Sequence, residues 1–355
     1  MTSSDHDSPT STLTPDNPAA PPNRLFTFSS GGWVLLLAVL CTFLAAALVL
    51  YPVYLNGFHP PVGDGRNVDS YGFDLSRLLI PRDQLVASGG PKDGIDAIPP
   101  TLVETITPAA VDLIPKNEHI RFLVPSDLVI GLQINGESRA YPARVLVLHE
   151  LVNDTLGGTP LAVTWTPLCG AAVVFDRRID GPQAPPAEFG VSGLLLQSNS
   201  IFFDRRKDPK NESLWPQLAF HAISGPAAGK QLTLLPYQLT TWQAWRTEHP
   251  DTRVLLGLRR RKAEYGSEPY SIYLHNNDLK FPVSPRFPNA HIPNKTPLLL
   301  TSSNARQWTA TFDGNSPGNA SSAFSTQSGP HYELHAFLFA WYAQHETDTD
   351  YSALK

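Results

Sequence analysis

Hydrophobic and polar positions change rhythm several times along this chain. The first thirty residues hold sixteen Ser, Thr or Pro, one Arg and no Lys. Such text cannot bury a core, so residues 1–30 are expected to be a disordered tail. From Trp33 to Tyr51 come nineteen residues without a charge, ending at Pro52. At about 1.5 Å per residue a helix there spans roughly 28 Å, close to the ~30 Å hydrocarbon layer of a bilayer. Trp33, Tyr51 and Tyr54 supply aromatic ends suited to the headgroup zone. A cleavable signal peptide has a shorter apolar core behind a compact basic region, whereas the tail here is acidic. The expectation is a retained signal-anchor: one transmembrane helix over residues 33–54, with the lipid bilayer as its partner. Arg24 and Arg66 flank it almost evenly, so charge does not orient it. A long globule after an amino-terminal anchor places the domain outside the cytoplasm, in the periplasm or extracellular space.

Residues 55–118 form a lead-in broken by Pro and Gly. Within it, Ser88 to Ile95 is a turn cluster and not a phosphate loop, which needs Gly-Lys-Ser/Thr opening a helix. The globular domain is expected over 119–355. Leu128–Ile134 and Glu137–Tyr141 flank Asn135-Gly136, the strongest short signal for a hairpin. Pro142 opens a helix in which Val145, Leu146, His149 and Val152 share a face, ended by Asn153 and Asp154. Alternation then predicts strands at Leu161–Trp165, Ala171–Asp176, Phe189–Val191, Ile201–Asp204, Arg253–Leu258, Ser271–Leu274 and Trp308–Phe312. Residues 283 to about 330 read as long loops around the last of these, and a helix over Glu333–Gln344 closes the chain. The fold class is α+β and β-rich, with short, mostly antiparallel strands and a few short helices.

One segment recurs. Trp242, Ala244-Trp245, His249 and Asp251-Thr252 are matched by Phe339, Ala340-Trp341, His345 and Asp348-Thr349. The repeated stretches, 242–252 and 339–349, read as one packing helix used twice, rather than as paired histidine ligands.

Composition narrows the function. With 34 Pro and 24 Gly the chain cannot be a helical bundle, and a net charge of −5 leaves no basic footprint for nucleic acid. Two cysteines, one of them Cys41 inside the apolar stretch, make no disulfide scaffold. Arg259-Arg260-Arg261-Lys262 reads as a solvated loop.

Several passages resemble the bacterial and archaeal family called domain of unknown function 3179. They are Leu128–Glu137, Ala140-Tyr141-Pro142, His149–Asp154, Pro167-Leu168-Cys169-Gly170, Val174–Arg177, Gly190–Leu195, Asn199, Asp204-Arg205, Glu212–Trp215 with Gln217, Ser224-Gly225-Pro226 with Gly229, and Trp245 with His249–Thr252. The resemblance runs from about residue 87 to 345 and implies an architecture without an assigned reaction or cofactor. Members often read Cys-Pro-Leu-Cys-Gly at the turn where this chain has Thr166 first. The resemblance therefore implies that any dithiol chemistry of that loop is lost or weakened here, since Cys169 stands alone.

The polar residues within strand text leave three chemistries open. Cys169 with His149, oriented by Asp204 or Glu150, would make a thiol nucleophile. The same Cys and His with a carboxylate would bind a soft metal, although no local ligand motif is present. Glu150, Asp204 and Glu212 among Trp215, Trp165 and Tyr141 would bind or cut a glycan. Each has a plain counterpart: a small buried cysteine, a core histidine, strand-end ion pairs at Asp176-Arg177 and Asp204-Arg205, and a capped tryptophan. His149, Cys169, Asn199 and Asp204 are expected to line one cleft walled by Trp215, with Glu150, Ser192 and Glu212 as further binding residues. The function read from this is an extracytoplasmic binding or accessory module for a small molecule, glycan or protein. The alternative is an enzyme or metal site built around Cys169 and His149.

Overall fold

The computed structural model describes residues 32–56, 61–114, 122–313 and 332–354, so the tail expected over 1–30 lies outside the described residues. The chain divides into two units, residues 1–60 and 61–355. In the first, a helix runs over Gly32–Asn56 with no acidic residue in its first turn and no basic residue in its last. Among the described residues no helix is long and apolar enough to cross a membrane, so the transmembrane helix expected over 33–54 is not shown.

The second unit is α+β and β-rich, with four sheets of short strands and a few short helices. The Asn-Gly hairpin forms as its sequence requires: Leu128–Ile134 pairs antiparallel with Glu137–Pro142, and Asn135 and Gly136 both take positive φ. Gln238–Thr241 adds to one side of this hairpin, antiparallel to Leu128–Gly131. Arg253–Leu255 adds to the other side, parallel to Arg139 and Ala140. The short strand Thr105–Ile106 then extends the edge. A second sheet repeats this plan. Pro297–Ser302 and Trp308–Phe312 form a hairpin, Tyr332–Phe337 lies antiparallel on its first strand, and Thr349–Asp350 lies parallel to its second. In each sheet one short helix, Trp242–Glu248 or Leu338–His345, links the two outer strands.

The recurring residues fix that helix in both sheets. Trp245 donates its indole N–H to Thr252 Oγ1 at 2.9 Å and Trp341 donates to Thr349 Oγ1 at 3.0 Å. His249 and His345 each lie against the tryptophan four residues earlier, with ring centroids 3.8 Å apart, tilted in the first copy and stacked in the second. The chain is thus built on a duplicated four-strand and helix module. In the first copy, residues 143–237 are inserted between hairpin and outer strand, and this insertion supplies most of the remaining two sheets.

Those sheets are Leu151–Leu156, Thr159–Thr166 and Ala171–Asp176, and a second set of Leu85–Ala87, Phe189–Leu196, Asn199–Asp204 and Leu214–Pro216. The lead-in is thereby less irregular than its sequence suggests, since Leu85–Ala87 and Thr105–Ile106 each complete a sheet edge. Phe175, Phe189 and Trp215 meet edge to face in the main core, with centroids 5.0 and 6.0 Å apart. Tyr71, Leu194, Ile201, Phe203 and Leu214 form a smaller core.

Three sequence expectations are corrected here. Ser271–Leu274 is a helical turn, not a strand, because the amides of Ser271, Leu274 and the following His275 bond back to the carbonyls of Glu268, Tyr270 and Ser271. Residues 332–337 are a strand and the last helix begins only at Leu338, since Leu334 and Ala336 alternate inward against Pro297–Ser302. The helix after Pro142 ends at His149, so Val152, Asn153 and Asp154 belong to the following strand.

Gly131 shows how tightly the first module is packed. A Cβ there would lie 2.3 Å from Cε3 of Trp245, in the middle of a strand where only glycine admits the ring. Because Thr252 and His249 hold that indole, Gly131→Ala is expected to cost about 3 kcal/mol. Denaturant unfolding checks this; a change under about 0.5 kcal/mol would show that the indole yields freely.

Candidate functional site

Glu150 follows the last residue of the helix Ala143–His149 and takes φ 54°, ψ −22°, a conformation glycine usually supplies. Its N–H bonds to Leu146 O at 2.7 Å and its carbonyl accepts Trp165 N–H at 2.9 Å, so helix and sheet both hold the strained residue. Its side chain lines a cavity of about 260 Å³ together with Ser200, Leu168, Tyr270, Lys280 and Phe281. The residue is 4% exposed, and Oε2 accepts the Ser200 hydroxyl at 2.6 Å. Burial raises the Glu150 carboxyl to about 7, against a smaller lowering by the Ser200 hydroxyl. Burial, and then the nearby Glu150 charge, push the Tyr270 phenol up to about 12. This is a carboxyl that changes charge near neutrality inside a small, mostly apolar cavity.

Cys169, Asn199 and Glu150 are neighbours. The buried Cys169 thiol donates to Ser198 O at 3.3 Å. Burial pushes the thiol up; the Asn199 side chain lowers it and the Glu150 charge adds to the rise. Asn199 accepts Leu218 N–H at 2.9 Å and donates to Gln217 Oε1 at 2.9 Å, and Gln217 in turn donates to Thr164 Oγ1 and Ala171 O. This buried amide relay fixes the turn that carries Cys169. Thr166 Oγ1 beside it is buried without a hydrogen-bond partner among the described residues. That setting suits a thiol better than a hydroxyl.

The other expected residues stand elsewhere. His149 is fully buried, its Nδ1 facing Asp96 O and its Nε2 lying 2.8 Å from Tyr265 Oη. Both ring nitrogens are thereby engaged, with Nδ1–H donating to the carbonyl and Nε2 accepting from the phenol. Burial lowers the imidazole, so it stays neutral. Asp204 accepts Ser213 N–H at 2.7 Å, Trp215 Nε1–H at 3.0 Å, and Arg206 Nε–H. It borders a different, open depression of about 750 Å³ with Arg206, Lys207, Asp208 and Lys230. Trp215 is fully buried, with its indole N–H on Asp204. Glu212 pairs with Lys92, which also lies over the rings of Phe73 and Phe203 at 4.6 and 4.3 Å. Ser192 caps a bulge, donating to Ile201 O at 2.6 Å and accepting Leu194 N–H at 3.0 Å.

The cleft expected to unite His149, Cys169, Asn199 and Asp204 is therefore divided: Cys169 and Asn199 lie behind Glu150, while His149 and Asp204 are bonded into separate surroundings. Sequence reading did not find Ser200, Tyr270, Lys280 or Phe281. Ser200 follows Asn199 on its strand and carried a local signal, but Tyr270 and Phe281 reach the cavity from a remote loop with none. Among the described residues no group of three or more His, Cys, Asp or Glu side chains could hold a metal ion.

No curated protein and no solved structure matches this chain. A family model described as protein of unknown function (DUF3179) matches residues 92–314, which takes in the first module, its insertion with the Glu150 cavity, and the hairpin of the second module. Covering well over half of the chain, that match shows that the chain belongs to the DUF3179 family.

Proposed function

We propose that this protein is a small-molecule-binding module whose site is the cavity at Glu150. The observation that carries the reading is a buried carboxyl on a left-handed residue at that cavity, with Ser200 as its one hydrogen-bond partner among the described residues. Strained backbone and buried carboxyls with shifted protonation both cluster at binding and active sites. The volume of about 260 Å³ lies just below the roughly 300–1,000 Å³ of drug-sized ligand pockets, which favours a small molecule over a glycan chain or a protein segment. A fragment set is expected to raise the melting temperature of the wild type but not of Ser200→Leu, whose side chain fills the cavity; Glu150→Leu is a second filled variant. Equal rises in all three proteins, or none in the wild type, would overturn the reading.

We propose further that the module works outside the cytoplasm, in the periplasm or extracellular space, held to the bilayer through residues 33–54. The uncharged stretch Trp33–Tyr51 and the exposed side chains of Trp33, Leu36, Phe43 and Leu48 support this placement. Full-length chain recovered wholly in the soluble fraction at full mass would contradict it.

A further inference from the structure

Around Glu150 the polar and aromatic groups are unevenly placed. Its carboxyl has a hydroxyl partner at Ser200 and, close by, the phenol of Tyr270 and the thiol of Cys169, both neutral at ordinary pH. The preceding residue, His149, is turned away to Asp96 and Tyr265. Two half-buried rings, Tyr270 and Phe281, form part of the wall, and Leu168 and Leu195 add aliphatic surface. Lys280, the one cation lining the cavity among the described residues, is exposed and lies 5.7 Å from the Phe281 ring. A buried carboxyl beside aromatic rings, with the lining lysine exposed, is what a desolvated organic cation needs: ion pairing on one side and ring quadrupoles on the other.

We propose that the Glu150 cavity binds a small organic ammonium ion, which pairs with the Glu150 carboxylate and rests against Tyr270 and Phe281. The proposal rests on the reading of this cavity as the ligand site. The pairing has a consequence for protons. The empty site holds its carboxyl protonated up to about 7, whereas the ammonium ion requires it ionised. Binding below that pH therefore expels the carboxyl proton to solvent, and apparent affinity rises with pH until the free carboxyl is already ionised. Between pH 6 and pH 8 the gain is roughly tenfold.

The test is calorimetric titration of the full chain with n-butylammonium chloride at pH 6 and pH 8, each in two buffers of different ionisation enthalpy. The uncharged 1-butanol and the anion butyrate serve as comparisons. The expected result is n-butylammonium binding about tenfold tighter at pH 8, release approaching one proton per ligand at pH 6, and loss of at least tenfold in affinity in Glu150→Gln. No n-butylammonium binding, or binding with no pH dependence and no proton release, overturns the proposal. If 1-butanol or butyrate binds instead and Ser200→Leu abolishes it, the ammonium assignment falls while the cavity remains a ligand site. If n-butylammonium and both comparison compounds fail to bind and the fragment set fails as well, both readings fall together.

Discussion

Replacing Arg177 with methionine is expected to lower the unfolding free energy by about 5 kcal/mol. The guanidinium is 3% exposed and donates to three backbone carbonyls, Leu161 O at 3.0 Å, Ala187 O at 2.6 Å and Asp154 O at 3.0 Å. These belong to two paired strands of the three-stranded sheet and to the loop leading into Phe189–Leu196, so one side chain ties that loop to the sheet. Methionine preserves volume but leaves three buried acceptors unpaired, at roughly 1–3 kcal/mol each. Lysine would keep the charge without the planar fork needed to reach three divergent carbonyls, so Arg177→Lys is also expected to be strongly destabilising. The adjacent Arg178 is the control. It is exposed and pairs with Asp176, and Arg178→Met should leave the denaturation midpoint nearly unchanged. Denaturant titration of all three variants checks this, and similar midpoints for Arg177→Met and Arg178→Met would sink the account.

That contrast shows how far the sequence was legible. Asp176-Arg177 and Asp204-Arg205 read as strand-end ion pairs between neighbours. In the structure the partner in each case is two residues on, Asp176 with Arg178 and Asp204 with Arg206, because alternate residues of an extended chain share a side. The intervening arginines turn the other way: Arg177 inward to carbonyls, Arg205 to Asp93 at 2.6 Å. Which of two adjacent arginines is buried depends on strand register, which composition does not carry. Ala171–Asp176 and Trp308–Phe312 emerged at their expected bounds, since local alternation and a flanking turn define them. Pro297–Ser302 did not, because its burial alternates only once Tyr332–Phe337 and Trp308–Phe312 flank it. Glu150 entered the sequence reading only as a carboxylate beside His149, able to orient it or to bind a ligand. Its left-handed backbone, its pairing with Ser200 and the remote approach of Tyr270 are properties of the assembled fold, and they move the site's weight from His149 to its neighbour.

Glu150→Gln is expected to reverse the usual sense of a buried substitution, stabilising the protein at alkaline pH. In the unfolded chain the carboxyl releases its proton near 4.5, whereas the folded protein keeps it until about 7. Between those values the folded state binds more protons, so stability falls as pH rises through this window and levels off above it. At about 1.4 kcal/mol per pH unit, the folded wild type at pH 8 carries a penalty of roughly 3 kcal/mol from this group, which is absent at pH 4. Glutamine is nearly isosteric and its carbonyl can accept the Ser200 hydroxyl as Oε2 does, but it never ionises. The variant should therefore match the wild type at pH 4 and exceed it by about 3 kcal/mol at pH 8. Urea unfolding at pH 4, 6 and 8 separates the outcomes. Parallel pH profiles for the two proteins would mean that the carboxyl ionises in the folded state as it does in water, and would remove the electrostatic basis of the cavity's proposed role. A gap that opens between pH 5 and pH 7 would show that the fold holds this group against its own charge, at a site where a ligand cation would relieve that cost.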